Sequence, residues 1–159
     1  NDTPIFDNFI NQVLPENNVV NNGKPDIFGY LEISSINVKQ YVLTDTSENT
    51  LELGPGHYSG TALPGTGGNV GIAGHRTTYG APFGNLDAVV IGDEIQLTVD
   101  SSTYYYKVDS IDIVDAVGGE YVLFNRGDDR LTLTTCHPKY SAKERLIVSG
   151  ILTKIETVS

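Results

Sequence analysis

From Asp26 onward the sequence is cut into short runs of strand-forming residues, each closed by Gly, Pro, Asn, Asp or Ser, and this punctuation limits the available folds most. The runs cover residues 27–33, 38–43, 69–73, 94–99, 104–114, 131–135 and 146–155. Apolar and polar residues alternate at Ile95, Leu97 and Val99, and again at Tyr104, Tyr106 and Val108, which is the period of a strand with one face in a core. Ser47 suits the N-cap of a short helix ending near Leu53, and Gly54-Pro55-Gly56 stops it. Residues 54–68 carry the densest Gly and Pro and read as one long loop. Roughly eight short strands with so little helix predict an all-β fold, a closed eight-stranded β-barrel with short helices and long loops.

The chain has 159 residues, enough for one domain with a real core. Residues 1–25 read as an N-terminal appendage: Asn recurs there, while Ile5, Phe6, Phe9, Ile10, Val13 and Leu14 form the stripe of a short amphipathic helix. Residues 26–159 form the domain proper. The net charge of -10 repels phosphate backbones and anionic lipid, so nucleic acid is not an expected partner, whereas a peptide with a free amine is not repelled. No stretch reaches the roughly 18 apolar residues of a membrane span. The start at Asn1 suggests a trimmed chain.

One cysteine excludes an internal disulfide and a multi-thiolate zinc site, and three histidines show no metal-binding spacing. No cofactor is expected. Asp112, Asp115, Asp128 and Asp129 are more simply solvated than gathered around calcium. A lone cysteine is commonly a small buried hydrophobe. Cys136, however, ends an apolar run just before Pro138, which cannot continue a ladder, so the thiol is expected at a strand end and partly exposed. Arg145 opens the next apolar run; if that run returns beside the first, its cation can face Cys136 and suit an oxyanion. A surface salt bridge to Glu144 or Asp129 is the plainer alternative. His75 also follows an apolar run, and Cys/His pairing recurs in acyl transfer. His137 is its rival, but neighbours in an extended chain point to opposite faces, which favours His75. With ordinary values of ~8.5 and ~6.5 at pH ~7, the thiolate–imidazolium pair would be under about 1% of molecules, so a bell-shaped rate profile is expected.

Thr132-Leu133-Thr134-Thr135-Cys136 resembles the T-L-x-T-C signature of sortases. Gly74-His75-Arg76-Thr77-Thr78-Tyr79-Gly80, with Pro82-Phe83 and Leu86 after it, is similar to their histidine segment, and Arg145-Leu146-Ile147-Val148 to their arginine segment. Gly29-Tyr30-Leu31-Glu32-Ile33 agrees with the opening of the barrel, and the likeness covers about residues 27–155. Within the family, class E is most similar and class D next.

The resemblance implies a cysteine transpeptidase with catalytic residues His75, Cys136 and Arg145. It would cleave a C-terminal LPXTG- or LAXTG-type sorting signal between Thr and Gly and join the Thr carbonyl to an amine of a peptidoglycan precursor. Arg145 would hold the oxyanion and His75 would move the proton. Tyr58 would contact the signal and Thr135 would shape the oxyanion site; a Tyr ring packed beneath the long loop is the alternative for Tyr58. The natural protein would be membrane-anchored at the extracellular face of a Gram-positive cell. Residues 63–67 happen to spell such a signal, but nothing that should follow one does, and they read as loop. An L,D-transpeptidase, a cysteine peptidase, a pilus-assembly variant and a non-catalytic β-barrel binding module are the competing readings.

Overall fold

The computed structural model describes residues 20–21, 24–77, 80–137 and 143–158. The helix expected within residues 5–14 lies outside them, and so do Thr78, Tyr79, Pro138 and the side chain of His137. Of the appendage, β1 (Val20–Asn21) and β2 (Lys24–Pro25) pair as a small antiparallel sheet.

Eight further strands close into a barrel: β3 (Ile27–Ile33), β4 (Val38–Leu43), β5 (Gly56–His57), β6 (Asn69–Ala73), β7 (Glu94–Val99), β8 (Ser102–Asp115), β9 (Arg130–His137) and β10 (Glu144–Thr157). Their order is β10-β8-β7-β3-β4-β5-β6-β9, and β9 returns to β10. The pairs are antiparallel except β4–β5 and β6–β9. Seven strands match the runs read from sequence. The eighth corrects that reading: β5 lies inside the stretch assigned wholly to loop. A two-residue strand containing glycine has too little pattern to announce itself, and only its pairing with Leu43 on one side and with Ala73 and Ile72 on the other makes it one.

Alternation gives the barrel two faces. Leu31, Ile33, Ile72, Ile95, Leu97, Leu131, Leu133, Leu146 and Val148 fill the interior, each worth roughly 1.5–3 kcal/mol when fully buried. A second apolar cluster of Leu51, Tyr58, Ala73, Val122, Leu123 and Ile147 lies on the outer side of the sheet. Its cover comes from helix α1 (Glu48–Leu51), capped by the Ser47 hydroxyl accepting from the Thr50 amide at 3.3 Å, and from a 3-10 turn at Glu120–Leu123. Gly71 makes the close approach possible, since a Cβ there would meet Leu123 at 2.8 Å and the Tyr58 ring at 3.1 Å. The buried Asn69 ties the cover down: its Nδ2 donates to the carbonyls of Val122 and Phe124 at 2.9 and 3.1 Å.

Candidate active site

The site can be read from strand register. In the parallel pair β6–β9, Ala73 stands beside Thr134; in the antiparallel pair β9–β10, Thr134 faces Ile147 and Cys136 faces Arg145. His75 lies two residues beyond Ala73, as Cys136 lies two beyond Thr134. The ladder ends at Ala73, and Gly74 and Arg76, on either side of His75, are bonded to the Thr134 and Cys136 carbonyls. Cys136 and Arg145 stand side by side on strands ~4.8 Å apart, and His75 lies in the segment that leaves β6 at the same end of the sheet. Residues directly opposite in an antiparallel pair share a face, so Cys136 and Arg145 project to the same side. That side also carries Thr134 and Ile147, the outer face under the second cluster. Val114, paired with Arg145 from β8, packs against the same cluster.

All three side chains are buried: His75 is 6% exposed, Cys136 2% and Arg145 5%. The expected partial exposure of Cys136 is thus corrected. A strand end beside an occupied outer face is not open merely because the ladder stops there. The Arg145 Nη1 donates to the Glu144 backbone carbonyl at 3.1 Å. Asp129 accepts from the Gly67 amide at 2.6 Å, and Asp128 pairs with Arg130 at 3.0 Å. Among the described residues no three of His, Cys, Asp and Glu gather as a metal site.

Tyr58 is fully buried, its hydroxyl 2.9 Å from the Thr134 hydroxyl one row below Cys136. Its ring packs in the second cluster with Ala73 and Ile147 of the sheet. Thr135 alternates to the inner face, opposite to Cys136, and its hydroxyl donates to the Gly74 carbonyl at 2.8 Å. The Gly74 amide in turn donates to the Thr134 carbonyl at 3.2 Å, so the chain leaving β6 toward His75 is held on both sides. Phe83 packs under that exit: its amide donates to the His75 carbonyl at 3.1 Å, and a Cβ on Gly74 would meet its ring at 2.7 Å.

Two contributors went unassigned in the sequence. Arg76 is 2% exposed and donates to the Cys136 carbonyl at 2.6 Å; the acceptor is 60 residues away, so no local pattern reveals it. Asn69 offered a faint signal, a polar residue opening an otherwise apolar run.

A family model for the sortase domain matches residues 31–153, from β3 into β10. The chain belongs to the sortase family. Sortase D of Bacillus subtilis is 31% identical over 125 residues, which cover 77% of this chain and 62% of that protein. The sortase SrtE1 of Streptomyces coelicolor is 35% identical over 119 residues, 66% of this chain and 34% of that protein. The sortase chain thus spans less than two thirds of either relative. A crystal structure of the Streptomyces coelicolor sortase E1, with a tripeptide in its active site, superposes with a TM-score of 0.78 at 30% identity, covering 83% of this chain and 91% of that one. Likeness to both D and E members agrees with the class ordering read from the motifs, and the barrel is the sortase barrel.

Proposed function

We propose that this sortase is a cysteine transpeptidase in which Cys136 is the nucleophile, His75 the proton carrier and Arg145 the oxyanion partner. The observation that carries this reading is the pairing of Cys136 with Arg145 across β9 and β10, with His75 in the segment that leaves the neighbouring β6. The Cys136 thiolate attacks the Thr carbonyl carbon of a sorting signal, and Arg145 stabilises the negative oxygen that forms. The C–N bond to Gly then breaks, with the leaving amine taking its proton from His75, and a thioester remains. An incoming amine of a peptidoglycan precursor gives a proton to His75, attacks the thioester and releases the thiolate, so that a new amide replaces the old one. Because the thiol is buried, the site has to open before a carbonyl reaches it.

Tyr58 acts on the signal through the outer-face cluster, beside the row that holds Cys136. Thr135 acts through the backbone that carries His75 rather than from the face of the thiol. The tripeptide held by the Streptomyces coelicolor enzyme supports a peptide as the first substrate. An LPXTG- or LAXTG-type signal is the proposed form, and surface-protein anchoring at the extracellular membrane face of a Gram-positive bacterium the proposed role. Among the described residues no helix is long and apolar enough to cross a membrane, so the anchor is proposed from the family alone. The test is competition between water and amine for the thioester. Increasing amine should divert product from hydrolysis to ligation, with a bell-shaped pH dependence of acylation. Hydrolysis unaffected at every amine concentration would indicate a cysteine peptidase, and a rate flat across the thiol and imidazole range would sink the two-group mechanism.

A further inference from the structure

Arg76 follows His75 directly, yet the proposed chemistry leaves it unused. Its side chain is 2% exposed and reaches three groups. Nη1 donates to the Cys136 carbonyl at 2.6 Å, Nε donates to the Gly84 carbonyl at 3.3 Å, and Nη2 lies 3.3 Å from the Asp87 carboxylate. Strand geometry explains why an acceptor waits there. Carbonyls aimed at the same neighbouring strand recur every second residue. On β9 the Thr134 carbonyl accepts from the Gly74 amide, the last link to the segment leaving β6. The next carbonyl in that series belongs to Cys136, where β6 has already turned away, and the donor that meets it is the Arg76 side chain. Leaving such a buried carbonyl unmet costs ~1–3 kcal/mol, and a charged donor satisfies it more strongly than a neutral one.

We propose that Arg76 is a positioning residue for the nucleophile: its guanidinium takes the place of the peptide N–H that β6 no longer supplies, locks the Cys136 backbone to the segment bearing His75, and keeps a permanent positive charge on the nucleophile's own peptide group. The inference rests on Cys136 being the nucleophile. Among the described residues, the charged and titratable groups that flank that thiol in chain or register are His75 and Arg76 after β6, Lys143, Glu144 and Arg145 at the start of β10, Asp115 at the end of β8, and Asp87 behind Arg76. A fixed cation favours thiolate over thiol, and Asp87, 59% exposed, offsets part of that cation.

The two charges therefore make predictions of opposite sign. Cys136 is the sole cysteine, so the pH dependence of its alkylation can be followed by mass in the full chain with no background thiol. In Arg76→Gln the alkylation midpoint should rise by about one pH unit, and kcat on a signal peptide should fall about tenfold or more with KM within about twofold. Arg76→Lys should keep the wild-type midpoint and recover part of kcat. Asp87→Asn should lower the midpoint. Loss of activity in Arg76→Gln at an unchanged midpoint would reduce Arg76 to a structural brace and overturn the proposal. If Arg76→Gln does not fold, Asp87→Asn decides: a lowered midpoint supports the proposal, an unmoved one overturns it. Failure of the underlying assignment looks different, because Cys136→Ala would then retain turnover whatever the alkylation midpoints show.

Discussion

Cys136 and Arg145 are nine positions apart in the chain but cross-strand partners in the sheet, and the guanidinium is 5% exposed at a strand start. A buried cation opposite the proposed nucleophile is suited to an oxyanion, because a site shielded from water strengthens the interaction and the donor needs no reorganisation. Arg145→Ala should lower kcat about 10²–10³-fold, the usual cost of one oxyanion donor, and Arg145→Lys should recover only part of it because a point charge lacks the planar fork. Single-turnover acylation of a signal peptide measures this directly; near-wild-type rates in the alanine variant would remove Arg145 from the chemistry. At this scale the sequence was largely legible. The strand-end positions of Cys136, His75 and Arg145 followed from apolar runs and from Pro138. What it hid was burial, since the segments covering the outer face come from distant parts of the chain, and the Arg76–Cys136 bond, which links residues 60 apart.

At the scale of elements, the ends of β6 and β9 and the start of β10 bring His75, Cys136 and Arg145 to one end of the sheet, and α1, Tyr58 and the Glu120–Leu123 turn press on the outer face. The longer strands were readable because alternation over five or more residues leaves a pattern; β5 was not, because its two residues become a strand only through their neighbours. Tyr58 joins the cover to the row below Cys136 through the Thr134 hydroxyl. Tyr58→Phe keeps the ring and removes that bond, leaving the buried Thr134 hydroxyl to find another partner, so stability should fall by about 1 kcal/mol in urea unfolding. If Tyr58 also contacts the signal, its relative kcat/KM for LPXTG against LAXTG peptides should change in the same variant. An unchanged ratio with reduced stability would leave Tyr58 a packing residue.

At the scale of the whole molecule, a buried imidazole and an exposed, ion-paired carboxylate couple the barrel to pH. His57 is 4% exposed, stacks on Phe28 at 4.0 Å, and its Nε2 donates to the Ala62 carbonyl at 3.0 Å. Burial pushes its pKa down to about 4, only partly opposed by that hydrogen bond. The unfolded chain, with a value near ~6.5, takes up a proton that the native state resists. Stability from this group is therefore complete above pH ~6.5 and lost as pH falls toward about 4, by about 3 kcal/mol at most. Asp109 acts in the same direction. Its carboxylate pairs with the Arg130 guanidinium at 2.7 Å, which lowers its pKa, so its contribution is also lost in acid. Urea midpoints measured from pH 7.5 to 4.5 should fall steadily, and His57→Asn, which cannot titrate, should flatten the slope; an unchanged slope in that variant would exclude His57 as the source.

The central claim, that Cys136 carries the acyl group, is most directly tested by intact-protein mass spectrometry after incubation with LPXTG and LAXTG peptides and no amine acceptor. A single adduct on Cys136, equal to the signal through its Thr carbonyl less the elements of water, removable by hydroxylamine and absent in Cys136→Ala, is the predicted result. Cleavage of the peptide between Thr and Gly by Cys136→Ala, or turnover of the wild type through an adduct on another residue, would contradict it.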